Sequence, residues 1–195
     1  ADFGIHYEFN TTGNQKWAAG LVFAPSLQVN HENNLTYSNS STSEGVDKSY
    51  HSRTQYLPMH IGAGISMTTE RWVVTTDYNY LDWSRNTSSY TSMKYENQHK
   101  LNIGGAYITN PRLPRSTELM GGIGLSNSYI NLRGGKMQYL EVSAGASFPI
   151  RYSYLSLGAT WRKQINSRSS LMQESRFSMN LNITFGERIS RSKLR

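Results

Sequence analysis

The chain has 195 residues, 37% of them hydrophobic, and carries a formal net charge of +7. That length suits one domain, and a mean hydropathy of -0.58 argues against a bundle of membrane-spanning helices. The longest nearly unbroken apolar stretch, residues 17–25, falls well short of the ~20 residues such a helix needs, and the lack of cysteine excludes a disulfide framework or thiolate metal site.

Strand-like alternation begins at once, with Phe3, Ile5, Tyr7 and Phe9 on one side of a first strand. A turn at residues 10–14 leads to a second strand carrying Trp17, Ala19, Leu21 and Phe23 towards Val29. Residues 30–49 are polar and read as a strand extension and a long loop. The third strand places Leu57, Met59, Ile61, Ala63 and Ile65 opposite Pro58, His60, Gly62 and Gly64. After a turn at 68–70, Trp72, Val74, Thr76, Tyr78 and Tyr80 alternate with Val73, Thr75, Asp77, Asn79 and Leu81. A loop over 85–96 precedes the fifth strand, with Leu101, Ile103, Gly105 and Tyr107 outward, and residues 110–114 break it.

The sixth strand presents Leu119, Gly121, Ile123 and Leu125. The seventh presents Leu140, Val142, Ala144, Ala146 and Phe148, and Pro149 closes it. The eighth sets Leu155, Leu157, Ala159 and Trp161 against Ser156, Gly158, Thr160 and Arg162. In the ninth, Phe177, Met179, Leu181, Ile183 and Phe185 alternate with Ser178, Asn180, Asn182 and Thr184 without a break. No helical periodicity of useful length and no domain linker appear.

Segments of roughly ten residues with one apolar and one polar side are the pattern of a transmembrane antiparallel β-barrel, whose strands cross a bilayer at a tilt. The fold class expected is therefore all-β. Tyrosine and tryptophan, 13 and 4, exceed the 6 phenylalanines, as suits rings sitting in headgroups with a wet polar tip. Connections near 10–14, 68–70, 110–114 and 149–153 are short; those near 30–49, 85–96, 126–135 and 164–173 are long. Short periplasmic turns and long extracellular loops put the C-terminus in the periplasm and the start of the first strand outside. Bacterial single-chain barrels have even strand counts, so nine strands predict further strands upstream of Ala1. Residues 1–186 then form the C-terminal portion of a larger barrel, and 187–195 a basic periplasmic tail. With no recognition helix or stacking platform beside it, that tail reads as solvated, and no nucleic-acid partner is expected.

Three stretches carry a family likeness: Tyr56-Leu57-Pro58, then Gly62-Ala63-Gly64, then the run from Trp72 through Asp77-Tyr78-Asn79-Tyr80-Leu81-Asp82-Trp83-Ser84. With Asn102-Ile103-Gly104-Gly105-Ala106-Tyr107 and Met120-Gly121-Gly122-Ile123-Gly124-Leu125 downstream, they resemble the FadL-type outer-membrane transporters of long-chain fatty acids and aromatic hydrocarbons. Bacteroidetes members are nearest, and the likeness covers residues 56–186. It implies a Gram-negative outer-membrane location, a fourteen-stranded barrel and an N-terminal hatch that this sequence lacks.

The candidate chemistry is sparse. Asp77 and Asp82 have an odd separation, so a regular strand puts them on opposite faces, a poor arrangement for paired acid–base work. Asp77 is expected in the lumen, paired with Arg162 or Lys100, and Asp82 at the extracellular rim. The inward glycines read as packing positions. The Gly121-Gly122-Ile123-Gly124 run is no phosphate loop, because neither a helix nor Gly-Lys-Ser/Thr follows. His6, His31, His51, His60 and His99 lack ligand spacing, so no metal or cofactor is expected. With no Gly-x-Ser-x-Gly elbow, no catalytic residue and no enzyme activity are expected either. Trp17, Trp72, Trp83 and Trp161 read as interface or rim residues.

The lumen and lateral-gap candidates are Pro58, Gly62, Asp77, Asn79 and Arg162, since proline removes a ladder donor. The lipid-facing candidates are Leu101, Ile103, Leu155, Leu157, Met179, Leu181 and Ile183. The expected function is passive uptake of small hydrophobic molecules such as long-chain fatty acids. The alternative is a structural or accessory barrel subunit of a larger outer-membrane protein assembly. Expected partners are outer-membrane lipids and lipopolysaccharide, a hydrophobic ligand, and other outer-membrane proteins.

Overall fold

A computed structural model describes residues 2–11, 14–29, 32–38, 45–51, 55–88, 92–113, 115–132, 135–150, 153–166 and 173–185. The basic tail expected over 187–195, His31 and residues 39–44 of the polar stretch expected over 30–49 lie outside the described residues. The elements in chain order begin with β1 (Phe3–Thr11), β2 (Gln15–Ala24), β3 (Leu27–Val29), β4 (Glu32–Ser38) and β5 (Gly45–His51). There follow β6 (Gln55–Leu57), β7 (Met59–Thr68), β8 (Trp72–Asp82), β9 (Met93–Tyr95) and β10 (Gln98–Ile108). The last are β11 (Glu118–Asn127), β12 (Ile130–Leu132), β13 (Gln138–Ile150), β14 (Ser153–Asn166) and β15 (Ser175–Phe185).

Nine of these form one antiparallel sheet in the order β1-β2-β7-β8-β10-β11-β13-β14-β15. They are the nine strands expected from alternation, and each pairs with its neighbour along the chain. The sheet is not closed among the described residues, so β1 and β15 are its edges. Because every pairing is antiparallel and the count is nine, the two edge strands run in the same direction.

Register carries the alternation across the whole wall. One row reads Thr76, Ile103, Ile123, Val142, Trp161, Phe177 on successive strands. The next polar row reads Thr75, Gly104, Gly122, Ser143, Thr160, Ser178. A slip of one residue anywhere would swap the two faces, and the single irregularity in these pairings, between Gln138 and Tyr139, comes at a strand end.

Among the described residues most of the apolar face is left exposed. Leu101 is 41% and Met179 78% exposed, and Tyr139, at 7%, is the buried hydrophobic among the described residues. Leu101, Ile103, Leu155, Leu157, Met179, Leu181 and Ile183 all lie on this one face. An apolar surface running from edge to edge far exceeds what a water-soluble monomer exposes. No helix of the described residues is long and apolar enough to cross a membrane.

Aromatic side chains gather at both ends of that face, as a membrane wall with interfacial girdles requires. At the short-turn end Phe9 stacks on Trp17, centroids 6.4 Å apart, and Trp72 meets Tyr107 at 4.7 Å. At the long-loop end Tyr78 and Tyr80 flank His99 at 6.1 and 5.2 Å. Trp161 sits lower, in the row of Val142 and Phe177. The short turns are tied laterally: Asn14, at φ 59°, a conformation asparagine tolerates, donates its amide to Glu70 of the next turn at 3.0 Å.

The long connections hold structure that alternation did not reveal. The β2–β7 hairpin continues beyond the wall as a ribbon of β3 with β6 and then β4 with β5. A second ribbon pairs β9 with β12, joining two different loops.

Candidate functional site

The polar face is built around a ladder of side chains. Asp77 on β8 accepts hydrogen bonds on one carboxylate oxygen, from Asn79 Nδ2 at 2.9 Å and from Asn102 Nδ2 at 2.8 Å. Asn79 spends its amide on Asp77, so its oxygen accepts from His60 Nε2 at 2.8 Å. Four residues on β7, β8 and β10 thus form one chain of bonds. A lone carboxylate on a strand needs donors once water is thinned by the neighbouring strands, and two asparagines supply them here. Asp77 was expected to pair with Arg162 or Lys100. Arg162 instead lies across the sheet on β14, opposite Glu141 and Arg176 in register, with its guanidinium 4.1 Å from the Tyr139 ring centroid.

Glycines make the floor. Gly20 faces Gly64, Gly104 faces Gly122, and Gly145 faces Gly158. Where a glycine stands opposite an asparagine the amide folds over it. A β-carbon on Gly62 would lie 2.9 Å from Asn79 Oδ1, and one on Gly124 2.7 Å from Asn102 Oδ1. Asn180 covers Gly158 in the same way. The result is a shallow polar groove of about 730 Å3, lined by Asp77, Asn102, Glu141, Ser143, Thr160, Asn180 and their neighbours. Hydrogen-bonding side chains and glycines make most of its side-chain face, with Met120 opposite Gly145 as an apolar member, so it suits a hydrated surface or a polar chain segment better than a hydrocarbon.

The lateral-gap candidates separate in space. Pro58 lies between β6 and β7, level with Pro25 between β2 and β3, and Ser26 Oγ donates to the Leu57 carbonyl at 2.9 Å. The ladder therefore changes there from wall to projecting ribbon. Gly62 lies lower, and the pairings of β2 with β7 and of β7 with β8 run through it unbroken.

At the long-loop rim, Trp83 stacks on Tyr129 with centroids 4.6 Å apart and on Tyr95 at 6.3 Å. Asn86 bonds both the N–H and the carbonyl of Tyr56, at 2.8 and 2.7 Å, tying this rim to the base of the projecting ribbon. Asn127 binds the Asn97 carbonyl through its amide at 2.7 Å and accepts from the His99 N–H at 2.6 Å. Sequence reading placed Asn86, Tyr95, Asn127 and Tyr129 in loops and Trp83 at an interface or rim. The alternating Tyr95, Tyr129, Ile130 and Leu132 were a signal of order, but strands of three residues are too short to show a period.

The Asp-Tyr-x-Tyr-x-Asp-Trp-Ser run that carried the family likeness has a local explanation. Asp77 joins the polar ladder, Tyr78 and Tyr80 belong to the rim girdle, and Ser84 turns the chain by donating its N–H to Asp82 at 2.9 Å. A wall strand that ends at an interface calls for those residue types whatever the protein does. No curated protein matches the chain. The BamG family model matches residues 1–192, nearly the whole sequence. This overturns the resemblance to FadL-type transporters, and with it the fatty-acid and lipid-transport reading. The chain belongs to the BamG family.

Proposed function

We propose that this protein is a non-catalytic accessory subunit of the machinery that assembles proteins into the outer membrane, and that its nine-stranded sheet is a lipid-embedded barrel wall. The observation that carries the reading is the match to BamG, a family associated with the BAM complex, over residues 1–192. It favours the accessory-subunit alternative over uptake. The unpartnered apolar face with aromatic ends supports the membrane wall. The polar, glycine-floored inner face supports a scaffold over a hydrophobic conduit, because a hydrocarbon passing it would displace hydration from Asp77, Glu141 and the asparagines without replacing those bonds. In this orientation the short turns and the C-terminus are periplasmic, and the long loops are outside.

Isolation of the tagged full-length protein in mild detergent is expected to bring the assembly machinery with it. Its depletion is expected to lower several unrelated outer-membrane proteins together. Recovery of the protein without the machinery, and unchanged outer-membrane protein levels on depletion, would reject the reading.

A further inference from the structure

Beneath the rim, on the apolar side of the wall, lies a cleft of about 750 Å3. Its floor is Leu101, Leu125 and Ile165, side chains of the face that the wall presents outward. Its roof comes from the loops that lean over that face, including Glu96, Asn97 and Lys136. One compartment is thus apolar below and polar above, at the height of the tyrosine girdle.

At the polar end Lys136 is 74% exposed; its ammonium lies 3.7 Å from Glu96 Oε2, while Asn131 Nδ2 donates to the other carboxylate oxygen, Oε1, at 2.6 Å. An ammonium has three donors, so Lys136 can serve an anion beside that pair. His99, which lines the cleft, holds its Nδ1 2.6 Å from the Tyr78 hydroxyl. With that hydroxyl donating, the ring proton of a neutral His99 resides on Nε2, which remains a donor.

We propose that this cleft holds one phosphate-bearing lipid of the outer leaflet, with an acyl chain along Leu101, Leu125 and Ile165 and the phosphate at Lys136 and His99. A polypeptide laid on that floor would leave backbone donors and acceptors against leucine and isoleucine, which is costly; an acyl chain has none. The phosphate meets the Lys136 ammonium and a His99 ring N–H, and the first of these pairings makes charge-assisted hydrogen bonds. This is a fixed lipid seat on the outside of the wall rather than a route across it, and it rests on the reading of the sheet as a membrane wall.

Native mass spectrometry of the full-length protein in its complex tests the seat, with phosphatidylglycerol as the probe, diacylglycerol as an acyl-only control and glycerol phosphate as a headgroup-only control. Phosphatidylglycerol is expected to be retained and both controls lost. Leu125→Trp, which fills the floor, is expected to abolish retention, and Lys136→Ala to weaken it roughly tenfold. Leu181→Trp, on the same face away from the cleft, leaves it unchanged. Equal retention in Leu125→Trp and Leu181→Trp, or equal retention of phosphatidylglycerol and diacylglycerol, would overturn the seat. Alkaline extraction of membranes tests the wall separately: a protein that resists extraction yet shows no selective lipid loses the seat alone, and one that is extracted loses the wall as well.

Discussion

Asn102 on β10 stands directly opposite Gly124 on β11, and its amide oxygen occupies the space where a β-carbon on Gly124 would come within 2.7 Å. The same amide reaches the other way to Asp77. The glycine is thus what lets the asparagine lie flat and serve the carboxylate on the next strand. Polar-face glycines and asparagines work as pairs, and their substitutions should differ according to what each glycine faces.

Gly145→Ala should be the more damaging of two glycine changes. Its β-carbon would sit 2.8 Å from the Leu157 carbonyl oxygen, part of the backbone and unable to rotate away. A loss of ~1–3 kcal/mol is expected, as for other overpacking changes. Gly20→Ala meets nothing closer than 3.8 Å and should be nearly neutral. Urea unfolding in detergent or lipid, followed by gel mobility with and without heating, compares them.

Asp77→Ala removes the acceptor for both Asn79 and Asn102 and should cost ~1–3 kcal/mol. Asp77→Asn should cost much less, because both bonds fall on a single oxygen that an amide can supply. A variant pair of equal stability would mean that the ladder contributes nothing.

Leu181→Arg and Asn182→Arg differ by one position and by face. In lipid the first should lose ~2–4 kcal/mol relative to the native chain, the range for cations at mid-membrane on a barrel's outer face. The second, on the polar face, should lose far less. Equal losses would show that the two faces do not differ in environment, against the membrane-wall reading.

Trp83→Ala should loosen the rim and spare the wall. Its stacks on Tyr129 and Tyr95 are together worth ~1–3 kcal/mol. Faster protease cutting between residues 83 and 97, with an unchanged unfolding midpoint for the sheet, is the expected pattern.

Much of the wall was legible in the sequence because a strand writes its two faces into adjacent residues. Phe177 to Phe185 needs no neighbour to show which side is apolar, and the nine strands and their connection lengths follow from that local rule. Lateral detail was not legible. Whether Asp77 meets Asn102 or Lys100 depends on register with another strand, which one strand's alternation leaves open. The β9–β12 ribbon joins segments some 35 residues apart, so Trp83 read singly as an interface or rim residue and Tyr95 and Tyr129 as parts of two loops, though they stack on one another. The likeness to a transporter family failed for a related reason: its residues meet demands common to barrel strands.

The sheet's order has a consequence for how it is made. Every wall strand after β1 pairs with the wall strand that precedes it in the chain, so loop-closure costs stay low at most steps. Growth can proceed hairpin by hairpin, each new strand templated on the edge just laid down. The widest gap to span is the one between β2 and β7, where the projecting ribbon must form or be bypassed before Trp17 can meet Met67. That junction is where construction of the sheet would be expected to pause.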